Sequence, residues 1–209
     1  MELIENLNWR YATKKFDASK KISSQDLDTL LEAVRLSASS YGLQLYKILV
    51  IEDTELRAKL QPAAWNQSQI VDASQLIVFC NYSSVKSEHI DEYLRLKADT
   101  QGMNLEDLKA YGDFMKSKLG EFSPEAQGVW TARQIYIALG YLLNACAALR
   151  IDACPMEGFE PEKFNEILGL QERGLNASVI ATIGYRSEED PTAGAPKVRK
   201  SKADLFEII

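Results

Sequence analysis

Apolar residues along this chain fall into two kinds of pattern, helical spacing and short unbroken runs. Leu27, Leu30, Leu31 and Val34 recur every three to four residues. Ser23-Ser24-Gln25-Asp26 stands just before them and predicts the helix start, a serine cap followed by an acidic first turn. The pattern dissolves at Ser37-Ala38-Ser39-Ser40-Tyr41-Gly42, a small polar stretch that predicts a loop. Tyr46-Lys47-Ile48-Leu49-Val50-Ile51 predicts a strand, Asp53 to Leu60 a short helix, and Leu76-Ile77-Val78-Phe79-Cys80 a buried strand.

Val85 to Leu119 is charged and helical in period, with Gly102 and Gly112 as expected interruptions. Glu125 to Arg150 predicts a long helix whose second half is unusually apolar. Such a helix is covered on most sides, by its own domain or by a partner. Asp152 to Phe159, with Pro155 and Gly158, is expected to be a loop; Glu162 to Leu168 a short helix; and Ala177 to Tyr185 a third strong strand. The polar stretch 186–204 leads to Leu205-Phe206-Glu207-Ile208-Ile209, a strand-like end that suits docking on another surface, a sister subunit included. Helices outnumber strands, so the expected class is α+β in one domain, residues 1–209.

Composition narrows the functions. Hydrophobic residues make up 46% of 209, enough for a real core, and the net charge is -6. An acidic surface repels phosphate backbones and anionic lipids, so neither nucleic acid nor membrane is an expected partner. Met1 to Lys15 lacks the apolar core of a signal peptide, and the longest apolar stretch, from Tyr136 to Ile151, is interrupted by Asn144 and Arg150. A cytoplasmic protein is expected. Cys80, Cys146 and Cys154 form no CxxC pair and suit buried thiols in a reducing compartment. With His89 the sole histidine, no transition-metal site and no serine or cysteine triad is expected. An enzyme of this composition needs an organic cofactor to carry its chemistry. No GxGxxG or Walker A sequence is present to bind a nucleotide in the usual way.

Two basic clusters stand out on the acidic chain: Arg10, Lys14 and Lys15, and Lys197, Arg199, Lys200 and Lys202. Fixed cations suit a phosphate, although on spacing alone such runs are more often solvated surface. The 37–44 stretch offers hydroxyls, a glycine and the Gln44 amide after a helix. Cys154-Pro155-Met156-Glu157-Gly158-Phe159 is a tight segment whose N–H groups could meet a ligand. Each alone reads equally as an ordinary connection.

Taken in order, these segments resemble the flavin-dependent nitroreductases, in particular the oxygen-insensitive NAD(P)H nitroreductase and dihydropteridine reductase branch. The resemblance rests on Arg10-Tyr11-Ala12-Thr13-Lys14-Lys15-Phe16-Asp17, and on Ser37-Ala38-Ser39-Ser40 followed by Gln44. It continues through Asn66 ahead of Asp72-Ala73-Ser74, then Pro155-Met156-Glu157-Gly158-Phe159, and ends on Ile183-Gly184-Tyr185 with Pro196-Lys197-Val198-Arg199. The chain departs from that pattern at Tyr11 and Ala12, where histidine and serine are usual, and at Gly42, Gln69, Leu45 and Tyr46.

The resemblance implies a central mixed β-sheet surrounded by helices, in an intertwined homodimer that exchanges C-terminal arms of about residues 186–209. It implies FMN as cofactor, NADH or NADPH as donor, and two-electron ping-pong transfer to nitroaromatics, quinones or related small acceptors. Arg10, Lys197 and Arg199 would hold the FMN phosphate, with Tyr11 and Ala12 beside them. Lys14 and Asn66 would lie toward the pyrimidine side of the ring, and Gln69 is a further cofactor-binding candidate near the ring. Pro155, Met156, Glu157 and Gly158 would line the other part of the ring, with the Glu157 N–H at flavin N5. Lys14 and Glu157 are thus the catalytic candidates. Ser39 and Gln44 would come from the second subunit, Ser40 is a further cofactor-binding candidate, and Tyr41 and Phe114 would face substrate. The alternative is a non-catalytic FMN-binding or flavin-storage dimer.

Overall fold

A computed structural model describes residues 2–209; Met1, the first residue of the N-terminal stretch discussed above, lies outside the described residues. Four strands build one sheet: β1 (Tyr46–Ile51), β2 (Gln75–Tyr82), β3 (Asp152–Met156) and β4 (Leu175–Gly184), in the order β1-β2-β4-β3. The β2 and β4 strands occupy the centre and are buried along nearly all their length, which is why both read as unbroken apolar runs.

The sheet divides the core into two faces. Leu76, Val78 and Cys80 of β2 point to one face, where α3 (Thr54–Leu60), α4 (Gln69–Asp72) and α8 (Pro161–Ile167) contribute Leu60, Ile70 and Phe164. Ile77 and Phe79 point to the other, against Leu30 and Val34 of α2 (Ser24–Arg35) and against Ile135, Leu139, Leu142 and Cys146 of α7 (Pro124–Ala148). A third cluster joins α5 (Ser87–Gln101) and α6 (Lys109–Gly120) through Ile90, Leu94, Met115 and Leu119.

The expected helix starts are present. Ser23 caps α2 by accepting from the Asp26 N–H, Asp53 caps α3, and Ser123 caps α7 with Pro124 in its first turn. Gly102 ends α5 in the left-handed conformation, as an interrupting glycine should. Gly112 does not interrupt: it lies inside α6, where a Cβ would come within 2.5 Å of Leu94 Cδ1. Its bare backbone lets α5 and α6 approach each other.

Several expectations are corrected. Neighbouring strands within the chain are antiparallel throughout rather than mixed; among the described residues, parallel pairing is confined to an isolated bridge between Ala12 and Ala153. The chain leaves β1 at Ile51 and re-enters β2 beside it, Ile51 opposite Leu76, so the helical excursion between them is a return and not a crossover. The stretch expected to be a loop after Arg150 begins as β3, paired from Asp152 opposite Gly184 to Met156 opposite Ile180. As an edge strand it tolerates Pro155, whose missing N–H costs no ladder bond on the open side.

An unexpected helix α1 (Glu2–Trp9) packs along α7, and only Asn6 of it is buried. At the other end Ser201 caps the short helix α9 (Lys202–Leu205), and 206–209 continue as exposed coil rather than as a strand. The long helix α7 buries one face in the chain. Val129, Tyr136, Ile137 and Tyr141 stay 42–53% exposed on another, so the expected covering is half supplied.

Candidate functional site

The two basic clusters, nearly two hundred residues apart in sequence, meet. Arg10, Tyr11, Ala12 and Lys14 line one side of a cavity of about 370 Å³, and Lys197 and Arg199 line the other. The Lys197 ammonium donates to the Arg10 carbonyl oxygen, which locks the C-terminal segment onto the end of α1. Among the described residues, none of Arg10, Lys14, Lys197 and Arg199 pairs with a carboxylate. Burial and the neighbouring guanidiniums of Arg10 and Arg199 push the Lys197 pKa down. Burial and Arg199 do the same to Arg10. Arg10, Lys197 and Arg199 repel one another, and with Lys14 beside them and no carboxylate paired to any of the four, they form a place for an anion.

Two carboxylates hold this cradle without neutralising it. Asp190 accepts from the backbone N–H groups of Lys14 at 2.8 Å and Lys15 at 3.1 Å, and from the Tyr11 hydroxyl at 3.1 Å. Burial opposes its charge, but hydrogen bonds from Thr192 and from these backbone groups outweigh burial and bring its pKa to about 2. Asp152, buried at the start of β3, accepts from the Arg186 backbone N–H and Nε, each at 2.8 Å. The Arg186 guanidinium also lies over the rings of Trp9, 4.4 Å, and Tyr11, 4.5 Å. The phenol of Tyr11 is pushed up to about 12, by burial first and by Asp190 second, with Arg186 opposing.

The Pro155-Met156-Glu157-Gly158 segment continues β3 into a turn closed by Phe159 N–H donating to the Glu157 oxygen. Pro155, Met156 and Glu157 line a second cavity of about 380 Å³ with Tyr136, Leu139, Leu143 and Val179. The Tyr136 hydroxyl donates to the Glu157 carboxylate; burial and this bond raise its pKa to about 12. Among the described residues, the Glu157 and Gly158 N–H groups find no acceptor. The turn is latched to the segment that follows α3: Gln67 Nε2 donates to the Gly158 oxygen at 2.8 Å, and Glu160 N–H donates to the Ala63 oxygen at 2.8 Å. Asn66, in the left-handed conformation, stands in that segment. Gln69 reaches Cys154, whose thiol pKa is raised by burial with Lys14 and this bond opposing, so Gln69 and Lys14 both neighbour β3.

A match to the Nitroreductase family covers residues 7–185, which holds Arg10, Lys14 and the Pro155-Met156-Glu157-Gly158 turn and ends before Asp190, Lys197 and Arg199. The chain belongs to the nitroreductase family. It is 36% identical over 216 residues to the major NAD(P)H-flavin oxidoreductase of Aliivibrio fischeri, covering 99% of this chain and 98% of that protein. A Bacillus subtilis protein described as a nitroreductase has the same fold at TM-score 0.89 and 21% identity, over 100% of this chain and 99% of the other. An Exiguobacterium sibiricum protein, also described as a nitroreductase and solved in complex with FMN, matches at TM-score 0.84 and 22% identity, over 100% and 98% of the two chains.

The nitroreductase chain by itself does not bring every candidate together. Ser39, Ser40, Tyr41 and Gln44 form a turn after α2, outside both cavities. There Gln44 N–H donates to Ser39 Oγ, its amide donates to the Arg35 oxygen, and Ser40 N–H donates to Gln134 Oε1. Tyr41 packs toward Trp130, ring centres 6.4 Å apart. Phe114 sits half-exposed on α6, likewise outside both cavities. Sequence reasoning missed Asp152, Arg186, Asp190 and Tyr136. Asp190 follows two glutamates before a proline and looks like surface charge. Only its burial beneath 14–15 distinguishes it.

Proposed function

We propose that the protein is an FMN-dependent NAD(P)H oxidoreductase that reduces nitroaromatics, quinones or related acceptors by two-electron ping-pong transfer. The observation that carries this reading is the cradle of Arg10, Lys14, Lys197 and Arg199, cations without a carboxylate partner around a 370 Å³ cavity. A flavin phosphate supplies the missing charge, and the unpartnered N–H groups of Glu157 and Gly158 supply donors for a ring. FMN, when bound, provides hydride acceptance from NAD(P)H and hydride donation to the acceptor.

The protein's own part is binding, orientation and electrostatics. Arg10, Lys197 and Arg199 would hold the phosphate, Arg10 and Arg199 by forked hydrogen bonds and Lys197 as a point charge. Lys14 and Asn66 would lie toward the pyrimidine side, where a fixed cation favours the anionic reduced ring. Glu157 would present its backbone N–H to the ring edge, with its side chain turned aside by Tyr136. Ser39 and Gln44 would reach the site from a second copy of the chain. The half-exposed stripe of α7 and the exposed tail 205–209 support a homodimer as the working unit.

The decisive experiment is FMN titration followed by anaerobic NADPH, read by visible absorption. The reading expects stoichiometric FMN uptake per chain, bleaching by NADPH and restoration of colour by menadione. R199Q should weaken FMN binding at least tenfold, since one charge-assisted fork is worth about 1.5–3 kcal/mol. Bound FMN that NADPH cannot bleach would make this a flavin-storage protein, and absence of FMN uptake would end the flavin reading.

A further inference from the structure

Arg186 stands just past the end of β4 and lines neither of the two cavities. Its charge is already met, because Asp152, buried at the start of β3, accepts from its backbone N–H and its Nε. A guanidinium so paired is not free to take an outside anion. Its flat face is used instead, against the Trp9 ring at 4.4 Å and the Tyr11 ring at 4.5 Å. Those two residues flank Arg10 in the chain, and all three line the cationic cavity. Arg150, just past α7, places a second guanidinium 5.0 Å from the Trp9 ring.

Arg10 needs such help. Its own helix anchors it weakly: of α1 only Asn6 is buried, and Arg10 N–H merely closes the last turn on the Asn6 oxygen at 3.1 Å. Before an anion arrives, Arg199 and Lys197 repel its guanidinium toward water. The next residues are tied to β3, where Thr13 Oγ1 donates to Asp152 Oδ1 and Thr13 N–H to the Ala153 oxygen, each at 3.4 Å. Asp152 thus fixes both Arg186 and the 11–13 stretch, and Arg186 closes on the two rings beside Arg10. We infer that Arg186 is the positioning residue of the phosphate site: by clamping Trp9 and Tyr11 it holds Arg10 at the cavity, and so makes the protein prefer phosphorylated flavin over riboflavin. The inference rests on the flavin reading proposed above and adds to it the device that selects the phosphorylated cofactor. Lysine cannot replace arginine in this device, because only a planar guanidinium can fork onto a carboxylate and stack on two rings at once.

The test titrates the full chain, without reductant, with FMN and separately with riboflavin, and reads binding from the flavin fluorescence. Wild type should bind FMN about a hundredfold more tightly than riboflavin. R186K keeps the charge and loses the fork and the stack; it should bind FMN about tenfold more weakly, with riboflavin within about twofold of wild type. W9L leaves the Arg186–Asp152 pair in place and removes one ring; it should weaken FMN about threefold to fivefold and spare riboflavin. Wild-type FMN affinity in R186K would mean that charge alone matters and would overturn the clamp. Equal loss of FMN and riboflavin affinity in either variant would make the contact a general support of the fold and overturn it too. Should R186K not fold, as read by its urea midpoint, W9L decides: an unchanged ratio of FMN to riboflavin affinity in W9L overturns the inference, and a lowered ratio upholds it. Wild type that binds both flavins equally tightly would refute phosphate selection while leaving the flavin reading intact. Failure of the wild-type chain to take up either flavin would bring down the flavin reading, and this inference with it.

Discussion

Asp190 carries a heavy structural task for one side chain: it receives the Lys14 and Lys15 N–H groups and the Tyr11 hydroxyl, and so sets the shape of the cationic cradle. Its folded-state pKa of about 2 lies below the ordinary 3.8. A depressed carboxyl stabilises the fold fully above about pH 4, and that contribution is lost as pH falls through 2. Urea titrations from pH 5 to 2 should therefore show an acid-dependent loss in wild type that is reduced in D190N, with D190N about 2 kcal/mol less stable at pH 7. Arg57 is the second such residue. Its buried guanidinium donates to the carbonyl oxygens of Ile70, Val71, Ala73 and Ser74, and R57M would leave them unsatisfied. A loss of about 3–5 kcal/mol in urea denaturation is expected, with the 69–74 segment the first to exchange its amide hydrogens. Neither residue is legible beforehand. A charged side chain in a polar stretch looks like surface until the fold shows which backbone groups it serves.

At the scale of elements, the start of α2 was legible because a cap acts within four residues: Ser23 satisfies the Asp26 N–H of the turn it begins. Asp53 and Ser123 cap α3 and α7 in the same way. The strands β1, β2 and β4 were legible because their apolar runs meet no break. The edge strand β3 was hidden by its proline and by its dependence on β4 for its ladder, and α1 was hidden because it is held by α7 rather than by its own sequence. Gly184 shows what an element junction demands. At the end of β4, a Cβ there would stand 2.9 Å from the Ser74 backbone nitrogen and 3.1 Å from Phe16 Cδ1. Backbone cannot yield as a side-chain tip can, so G184A should cost about 2 kcal/mol, read as a lowered urea midpoint at unchanged m-value.

At the scale of the molecule, apolar side chains on α7 and at the C-terminal end are exposed. Val129, Tyr136, Ile137 and Tyr141 run along α7, and Leu205, Phe206, Ile208 and Ile209 are exposed near the C-terminus, the last two fully. The proposed homodimer predicts that sedimentation will find two copies, that Y141D will shift the species toward monomer, and that removal of 205–209 will weaken association. FMN affinity should fall with the dimer in each case if Ser39 and Gln44 serve the partner's site; monomers that hold FMN as tightly as wild type would refute that sharing. By itself the sequence determined the α+β class, the helices α2, α3, α7 and α8 and the residues of the two basic clusters, since capping, periodicity and charge are properties of neighbours along the chain. The tertiary structure alone decided that the clusters converge and that Asp152 and Asp190 brace them. Those facts depend on which distant segments pack together, and only the folded sheet, through the pairing of β3 with β4 and of both chain ends around it, brings residues 10 and 199 to one cavity.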